Sequence, residues 1–257
     1  MIDGQASDML ISSAQADYDA LRYVSPERPC PYLPDRKARS EAYGVEQLDP
    51  AVYERLLTRG FRRSGRVVYR PRCRACRECR QIRVPVDLFT PTRSMRRVLR
   101  RNTDLIVEEG RPTPTKEKFA LYCRYLDTQH DDSMARSYET FCEFLYDSPM
   151  ETTEFRYRCG GRLIGVSIAD RVSLGLSSVY MYFDPDFADR SLGTFSVLWE
   201  IDYCRCGGLP YYYLGFYIAG SPTMSYKARF RPNEILVADD RWVSLVASPL
   251  AGDGERR

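Results

Sequence analysis

The chain has 257 residues, 44% of them hydrophobic, 28% charged and 12% aromatic, with a net charge of +3 at pH 7. That composition buries a sizeable core in one large or two small domains and excludes a disordered or strongly polyionic protein. No basic start followed by an apolar run marks a secretory leader, and no 18-residue apolar stretch marks a membrane span, so a cytoplasmic protein without a membrane partner is expected, its nine cysteines reduced.

In chain order, residues 1–20 are polar and acidic and read as a flexible arm. A Cys- and Arg-rich unit is expected over residues 21–110. Within it, Asp49 caps a helix with Pro50 in its first position and Gly60 at its end. Phe61 to Pro71 reads as a hairpin turning at Ser64-Gly65, and Ile82, Val84 and Val86 alternate as in a strand. Ser94 is expected to open a short helix with Met95, Val98 and Leu99 inward and Arg96, Arg97, Arg100 and Arg101 on the other face. Between Arg62 and Arg101 stand fourteen arginines against two acids, Glu78 and Asp87, with Cys73, Cys76 and Cys79 threaded through them. An excess of 34 arginines over four lysines also follows from a GC-rich genome, but the clustering does not. A guanidinium-dense strip fits the backbone of a nucleic acid, because each planar fork matches phosphate oxygens.

Arg111-Pro-Thr-Pro114 is the candidate boundary to a C-terminal unit over residues 111–250. Phe119, Tyr122, Cys123 and Leu126 follow helical spacing, and Ser137 caps a second helix with Phe141, Phe144 and Leu145. The period then changes to two: Phe155, Tyr157 and Cys159, a turn at Gly160-Gly161, then Ile164, Val166 and Ile168. Leu176 to Asp184 is a third strand. A helix from about Thr194 to Cys206 places Val197, Leu198, Ile201 and Cys204 on one stripe and sends Glu200 and Asp202 to solvent. Tyr211 to Tyr217 is a fourth strand, and Glu234 to Val246 holds at least one more. The fold class is therefore α+β, a meander ending in a βαβ crossover, with a mixed sheet whose last two strands are parallel. This order is similar to the GNAT acyltransferases, which hold an acyl carrier at the loop between the third strand and the helix. Here Gly193 and the free N–H groups of the helix start suit a phosphate. Phe195 stands where that family has a small residue and crowds a coenzyme A pyrophosphate, so a different carrier is suggested.

Two blocks carry a closer resemblance. The first is Cys30-Pro31-Tyr32-Leu33-Pro34, Gly60-Phe61-Arg62-Arg63-Ser64-Gly65, Tyr69-Arg70-Pro71, Cys73-x-x-Cys76-x-x-Cys79, Arg93-Ser94 and Arg100-Arg101-Asn102. The second is Tyr182-Phe183-Asp184-Pro185-Asp186, Arg190-Ser191-Leu192-Gly193 and Met224 through Pro232. Together they resemble the aminoacyl-tRNA–protein transferases, in the bacterial branch that uses leucyl-tRNA. The resemblance implies transfer of leucine to proteins that begin with Asp or Glu, marking them for degradation by the N-degron (N-end rule) route, and a GNAT-like C-terminal domain. No motif separates leucine from arginine as the donor. A non-catalytic metal-containing RNA-binding module and a coenzyme-A-dependent acetyltransferase are the competing readings.

The implied reaction is aminolysis of an ester that is already activated, which requires no cofactor. Candidate catalytic residues are Asp184 and Asp186 as bases, which a loop turn and helix cap around Pro185 would also explain, and Tyr217 at the end of the fourth strand. Tyr213, Gly215 and Tyr217 are expected to line a slot where the parallel strands part, with Gly215 backbone groups free for an incoming peptide. An acidic first residue needs cations, and Lys227 and Arg229 with Tyr226 are the choice, against surface charge or tRNA contact. Arg70, Arg93, Arg96, Arg97, Arg100, Arg101 and Arg190 are expected on the tRNA. Cys30, Cys73, Cys76 and Cys79 form either a structural or regulatory Zn or iron–sulfur site, which the resemblance favours, or a set of buried thiols. His130, the sole histidine, is an acid–base group, a helix cap or a tRNA contact.

Overall fold

The computed structural model describes residues 22–129 and 136–245; the expected arm and His130 lie outside the described residues. The N-terminal part begins with β1 (Arg22–Val24), β2 (Arg28–Pro29), β3 (Lys37–Ala38) and β4 (Ser40–Gly44), followed by α1 (Pro50–Leu57), β5 (Arg62–Ser64), β6 (Val67–Pro71) and β7 (Arg80–Pro85). Next come α2 (Arg93–Arg101), β8 (Ile106–Gly110), α3 (Lys116–Gln129), the short α4 (Tyr138–Phe141), β9 (Thr152–Cys159), β10 (Arg162–Val172) and β11 (Gly175–Phe183). The chain then forms α5 (Leu192–Cys206), β12 (Tyr211–Tyr217), α6 (Pro222–Ser225) and the hairpin β13 (Glu234–Ala238) and β14 (Arg241–Ser244).

Local chemistry accounts for most of these boundaries. The Asp49 carboxylate accepts the backbone N–H groups of Ala51 at 2.8 Å and Val52 at 3.2 Å, which satisfies orphan donors at the start of α1. Ser137 caps α4 through the N–H of Thr140 at 3.1 Å. Helix α2 starts one residue earlier than Ser94, because Thr92 Oγ1 accepts the Met95 N–H at 3.3 Å. Helix α5 likewise starts at Leu192 rather than Thr194. Val86 leaves the expected strand for a short 3₁₀ turn yet stays fully buried.

One mixed eight-stranded sheet dominates, in the order β14-β13-β7-β12-β11-β10-β9-β8. Strands β9, β10 and β11 form the antiparallel meander, and β12 joins β11 in parallel after the α5 crossover. Strand β7 runs antiparallel between β12 and β13, so the residues before the expected break at Arg111 supply two strands, β7 and β8, to the same layer as those after it. Period-2 patterning marks β7 as a strand but carries no information about its neighbours. A small sheet, β1-β4-β6-β5, stands beside it.

Three apolar clusters hold the layers together. Ile82, Phe155, Leu192, Ile201 and Phe230 are among those under α2 and α5. Tyr53, Leu57, Phe61, Val172 and Tyr213 pack between α1, the small sheet and the large one. Tyr122, Leu126, Phe141, Ile168 and Tyr182 lie beneath α3. Between the sheets, Arg63 of β5 grips Asp170 of β10 with two bonds of 2.7 Å, both side chains fully buried.

Candidate active site

Strands β11 and β12 pair through Gly175–Tyr211, Leu176–Tyr212 and Ser177–Tyr213, and then part, although β11 continues to Phe183 and β12 to Tyr217. The result is a V whose closed end is Ser177 and Tyr213. Side chains along β11 change at this point from buried, up to Ser177, to half-buried from Ser178 to Met181. The far edge of β12 remains paired to β7, with a register shift between Tyr213 and Gly215. Gly215 has φ of +88°, a backbone state that a side chain resists, and a Cβ there would lie 3.2 Å from Cζ of Arg62.

Arg62 reaches this point from β5. Its Nη1 donates to Ser177 Oγ at 3.0 Å and its Nη2 to the Ser178 carbonyl, and the residue is only 7% exposed. Lys227, in the 3₁₀ turn Tyr226–Arg229 that follows α6, is 8% exposed and donates to the Phe216 carbonyl of β12 at 2.7 Å. Burial, followed by the Arg62 charge, pulls the Lys227 ammonium down to about 7. Lys227 therefore partners with Arg62 and not with Arg229, which is exposed, donates to Thr194 Oγ1 at 3.4 Å and lies 5.7 Å from the Tyr226 ring.

The other expected residues fall in different places. Tyr213 is fully buried on the opposite face, where its hydroxyl meets Glu54 at 3.4 Å and Arg83 at 3.5 Å, and burial raises it to about 12. It therefore belongs to the core and does not line the slot, because strand alternation turns it toward α1. Tyr217 is half-buried at the end of β12 and packs against the main core. Asp184, 1% exposed, accepts Arg124 at 2.8 Å, Arg162, and the Asp186 N–H at 3.1 Å, while the exposed Asp186 accepts Arg124 at 2.8 Å. In this arrangement they act as a turn cap and an ion-pair anchor, the alternative their sequence context allowed. Tyr226 is 38% exposed.

One buried acid departs from the sequence expectation. Glu200 of α5 does not face solvent. It is 1% exposed and accepts Tyr212 Oη at 2.8 Å and Tyr157 Oη at 3.5 Å. Burial raises its carboxyl to about 7 despite these hydroxyls. The signal was available, since Glu200 stands three residues after Val197 and four before Cys204, on the apolar stripe itself. Asp202 is exposed, as expected.

The arginine helix lies against the open end of the V. Arg93, Arg96, Arg97, Arg100 and Arg101 of α2 are exposed while Met95 is buried beneath them. Arg101 donates to the Asp189 carbonyl, and Asn102 Nδ2 to the Arg190 carbonyl at 2.9 Å. Arg190 returns a bond to the Arg101 carbonyl at 3.2 Å and clasps Asp104 at 2.7 and 3.0 Å, holding that carboxyl near 2. The exposed arginine face thus adjoins the loop that leads from β11 into α5. Arg190 is committed to this clasp, and Arg70 is committed to Glu41 at 2.8 Å and to the Phe61 ring at 4.5 Å.

Cys79 is raised to about 12, first by burial and then by Cys73, Cys30 and Cys76, which places those three thiols within reach of the Cys79 charge. As they stand, Cys73 Sγ donates to the Arg39 carbonyl at 3.7 Å, and among the described residues no three His, Cys, Asp or Glu side chains share a metal-holding geometry. Among those residues, no helix is long and apolar enough to cross a membrane.

Comparison with known proteins adds the family. The family described as arginine-tRNA-protein transferase matches in two parts, its N terminus over residues 28–97 and its C terminus over residues 117–237. The chain is 42% identical over 234 residues to the aspartate/glutamate leucyltransferase of Gluconobacter oxydans, covering 88% of this chain and 96% of that one. It is 43% identical over 230 residues to the protein of the same name from Nitrosococcus oceani, covering 87% and 95%, and 38% identical over 226 residues to that of Hahella chejuensis, covering 87% and 96%. Against the crystal structure of FemX the TM-score is 0.45 at 11% identity, over 83% of this chain and 68% of that one, a likeness that carries no argument. With both halves matched in register and relatives covered almost end to end, the chain belongs to the family of aminoacyl-tRNA–protein transferases.

Proposed function

We propose that the protein takes leucine from leucyl-tRNA and joins it to the N-terminal Asp or Glu of other proteins in the cytoplasm, which marks them for degradation. The observation that carries this reading is the junction of α2 with the mouth of the V: the helix that exposes five arginines is bonded at its C-terminal end, through Arg101 and Asn102, to the loop at the open end of the cleft. A tRNA acceptor stem lying on those arginines delivers its 3′ end to the cleft, where a charged strip on another face would not. The split parallel strands and the α5 crossover support a GNAT-like layout for this half, with the tRNA end as the acyl carrier.

The chemistry balances without a cofactor. The acceptor's α-amine, with an ordinary pKa of roughly 8, gives up its ammonium proton to water and attacks the ester carbonyl. The C–N bond forms, the bond from carbonyl carbon to ribose oxygen breaks, and the second amine proton goes to that oxygen. What the protein supplies is orientation of two substrates in a water-poor slot. Cys30, Cys73, Cys76 and Cys79 are proposed as a structural ion or cluster site, supported by their proximity and by the softness of thiolates toward Zn and iron. No step of the transfer passes through it.

The test mixes purified protein with tRNA charged with labelled leucine or labelled arginine, and with peptides that begin with Asp, Glu, Lys or Ala. Label from leucyl-tRNA on the acidic peptides supports the proposal. Label from arginyl-tRNA alone changes the donor, and no label from either tRNA rejects transfer altogether.

A further inference from the structure

Among the described residues, this fold neutralises its other deeply buried cations. Arg63 has Asp170 at 2.7 Å and Lys118 has Glu154 at 2.6 Å. Arg62 and Lys227 differ: their bonds go to a hydroxyl, two carbonyls and, for Lys227, the Met224 sulfur at 3.7 Å. No acid among the described residues is paired with either of them. Two like charges buried side by side without a counter-charge are expensive, and an anion entering through the open V relieves that cost. A tRNA phosphodiester, flanked by sugars on both sides, does not reach two groups that are 7% and 8% exposed, whereas a side chain at the end of a peptide does.

We infer that Arg62 and Lys227 together seat the side-chain carboxylate of an acidic acceptor, leaving its α-amine toward the wide part of the V. This rests on the acceptor reading proposed above. It also gives Gly215 a reason: with no Cβ and φ of +88°, it lets the guanidinium lie against β12. Arg229 takes no part, since it faces outward toward Thr194.

The pair carries a pH signature. The charged and titratable groups around it are Arg62 and Lys227 themselves, Tyr53 and Tyr69 beside Arg62, both phenols raised by burial, and Tyr226 next to Lys227, on which Arg229 and Glu200 act. Glu200 also changes charge near 7, so Glu200→Gln serves as the control for its contribution. Lys227 sits near 7 when the seat is empty. A carboxylate favours its charged form, so above that pH each binding event takes up a proton. Preference for an acidic acceptor then weakens by up to about tenfold per pH unit.

The experiment uses the full chain, leucyl-tRNA labelled in the amino acid, and two peptides that differ only in starting with Asp or Asn. The ratio of their kcat/KM values is followed from pH 6 to 9, after each peptide's rate is divided by its own fraction of neutral α-amine, which the Asp carboxylate lowers relative to Asn. Expected results are a ratio that is level below about pH 7 and falls above it in the parent, and one that is level throughout in Lys227→Arg. Arg62→Gln removes the charge and, being two bonds shorter, the hold on Ser177 and Ser178, and is expected to raise KM for the Asp peptide on the order of tenfold or more beyond any change in the Asn peptide. Arg62→Lys recovers part of the loss. An acid-selective parent whose ratio survives Arg62→Gln, or an Arg62→Gln variant in which both peptides fall together, overturns the seat and leaves the acceptor reading intact. A parent that does not prefer Asp over Asn overturns both.

Discussion

Glu200→Gln tests the burial argument at the α5 interface. The carboxyl is 1% exposed, no cation stands among the groups that act on it, and three hydroxyls, from Tyr157, Ser167 and Tyr212, do not offset its loss of water. Its pKa therefore rises from an ordinary 4.5 to about 7. The folded chain holds this proton more tightly than the unfolded chain does. Stability from the group is thus full below about pH 4.5, fades as pH climbs to about 7, and is gone beyond. At about 1.4 kcal/mol per pH unit, the span corresponds to about 3 kcal/mol. Glutamine keeps the shape and the oxygen that accepts Tyr212 but cannot ionise. The variant is expected to lie within about 1 kcal/mol of the parent near pH 5 and to exceed it at pH 8.5 by about 3 kcal/mol, or roughly 6 to 12 °C in Tm for a chain of this size. Urea or thermal denaturation at both pH values measures the difference, in which every other titrating group cancels. A gap between the two proteins that is equal at pH 5 and pH 8.5 would refute the reasoning.

Other expectations concern the halves and their junction. Arg63→Met leaves Asp170 buried without its partner and should destabilise the chain by about 3 to 5 kcal/mol in urea titrations; an effect under about 1 kcal/mol would show that water reaches that carboxylate. Replacing Arg96, Arg97 and Arg100 by Gln should weaken tRNA binding and flatten its dependence on salt, by roughly 0.7 to 0.9 in the logarithmic slope for each phosphate no longer neutralised, with the pH dependence of acceptor choice unchanged. Gly215→Ala forces a side chain into a left-handed state 3.2 Å from Arg62, at a cost on the order of 1 to 3 kcal/mol, and transfer to Asp-start peptides should drop with little change in tRNA affinity. Element analysis of protein purified without air should find about one Zn, or an iron–sulfur cluster, per chain; less than one metal atom per several chains removes the cysteine proposal.

Much of the layout was legible because it is set locally. The Asp49 and Ser137 caps, the Gly160-Gly161 turn and the switch from period 3.6 to period 2 each act over a few residues, and the α5 crossover then dictates a parallel β11–β12 pair. What failed was non-local. Nothing in Ile82, Val84 and Val86 says that their strand will lie between β12 and β13. Tyr211, Tyr212 and Tyr213 are three like residues in a row, and only the placement of α1 and α5 on opposite faces decides that Tyr212 meets Glu200 while Tyr213 meets Glu54. Arg62 is hidden by company: as one of fourteen arginines it reads as part of a strip for nucleic-acid phosphates, although Arg62 and Arg63 are both buried with their guanidinium groups on different partners, at 7% and 3% exposure. Charge density along a sequence reports the solvated side chains well and the inward exceptions not at all.

Those exceptions tie the two halves into one device. A V between parallel strands would ordinarily be finished by its own domain, yet here the closed end is occupied by a residue from β5, and the far edge of β12 is covered by β7, both from before the expected break. Arg62 holds Ser177 and Ser178 where the strands separate, so the N-terminal part fixes both the floor of the cleft and, through α2, its mouth. A C-terminal half expressed alone would lose the cation at the closed end, the strand beside β12 and the arginine face at the entrance together. On the proposed reading, donor and acceptor handling do not divide between the halves, because the arginine face and Arg62 come from one and Lys227 and the strands of the V from the other.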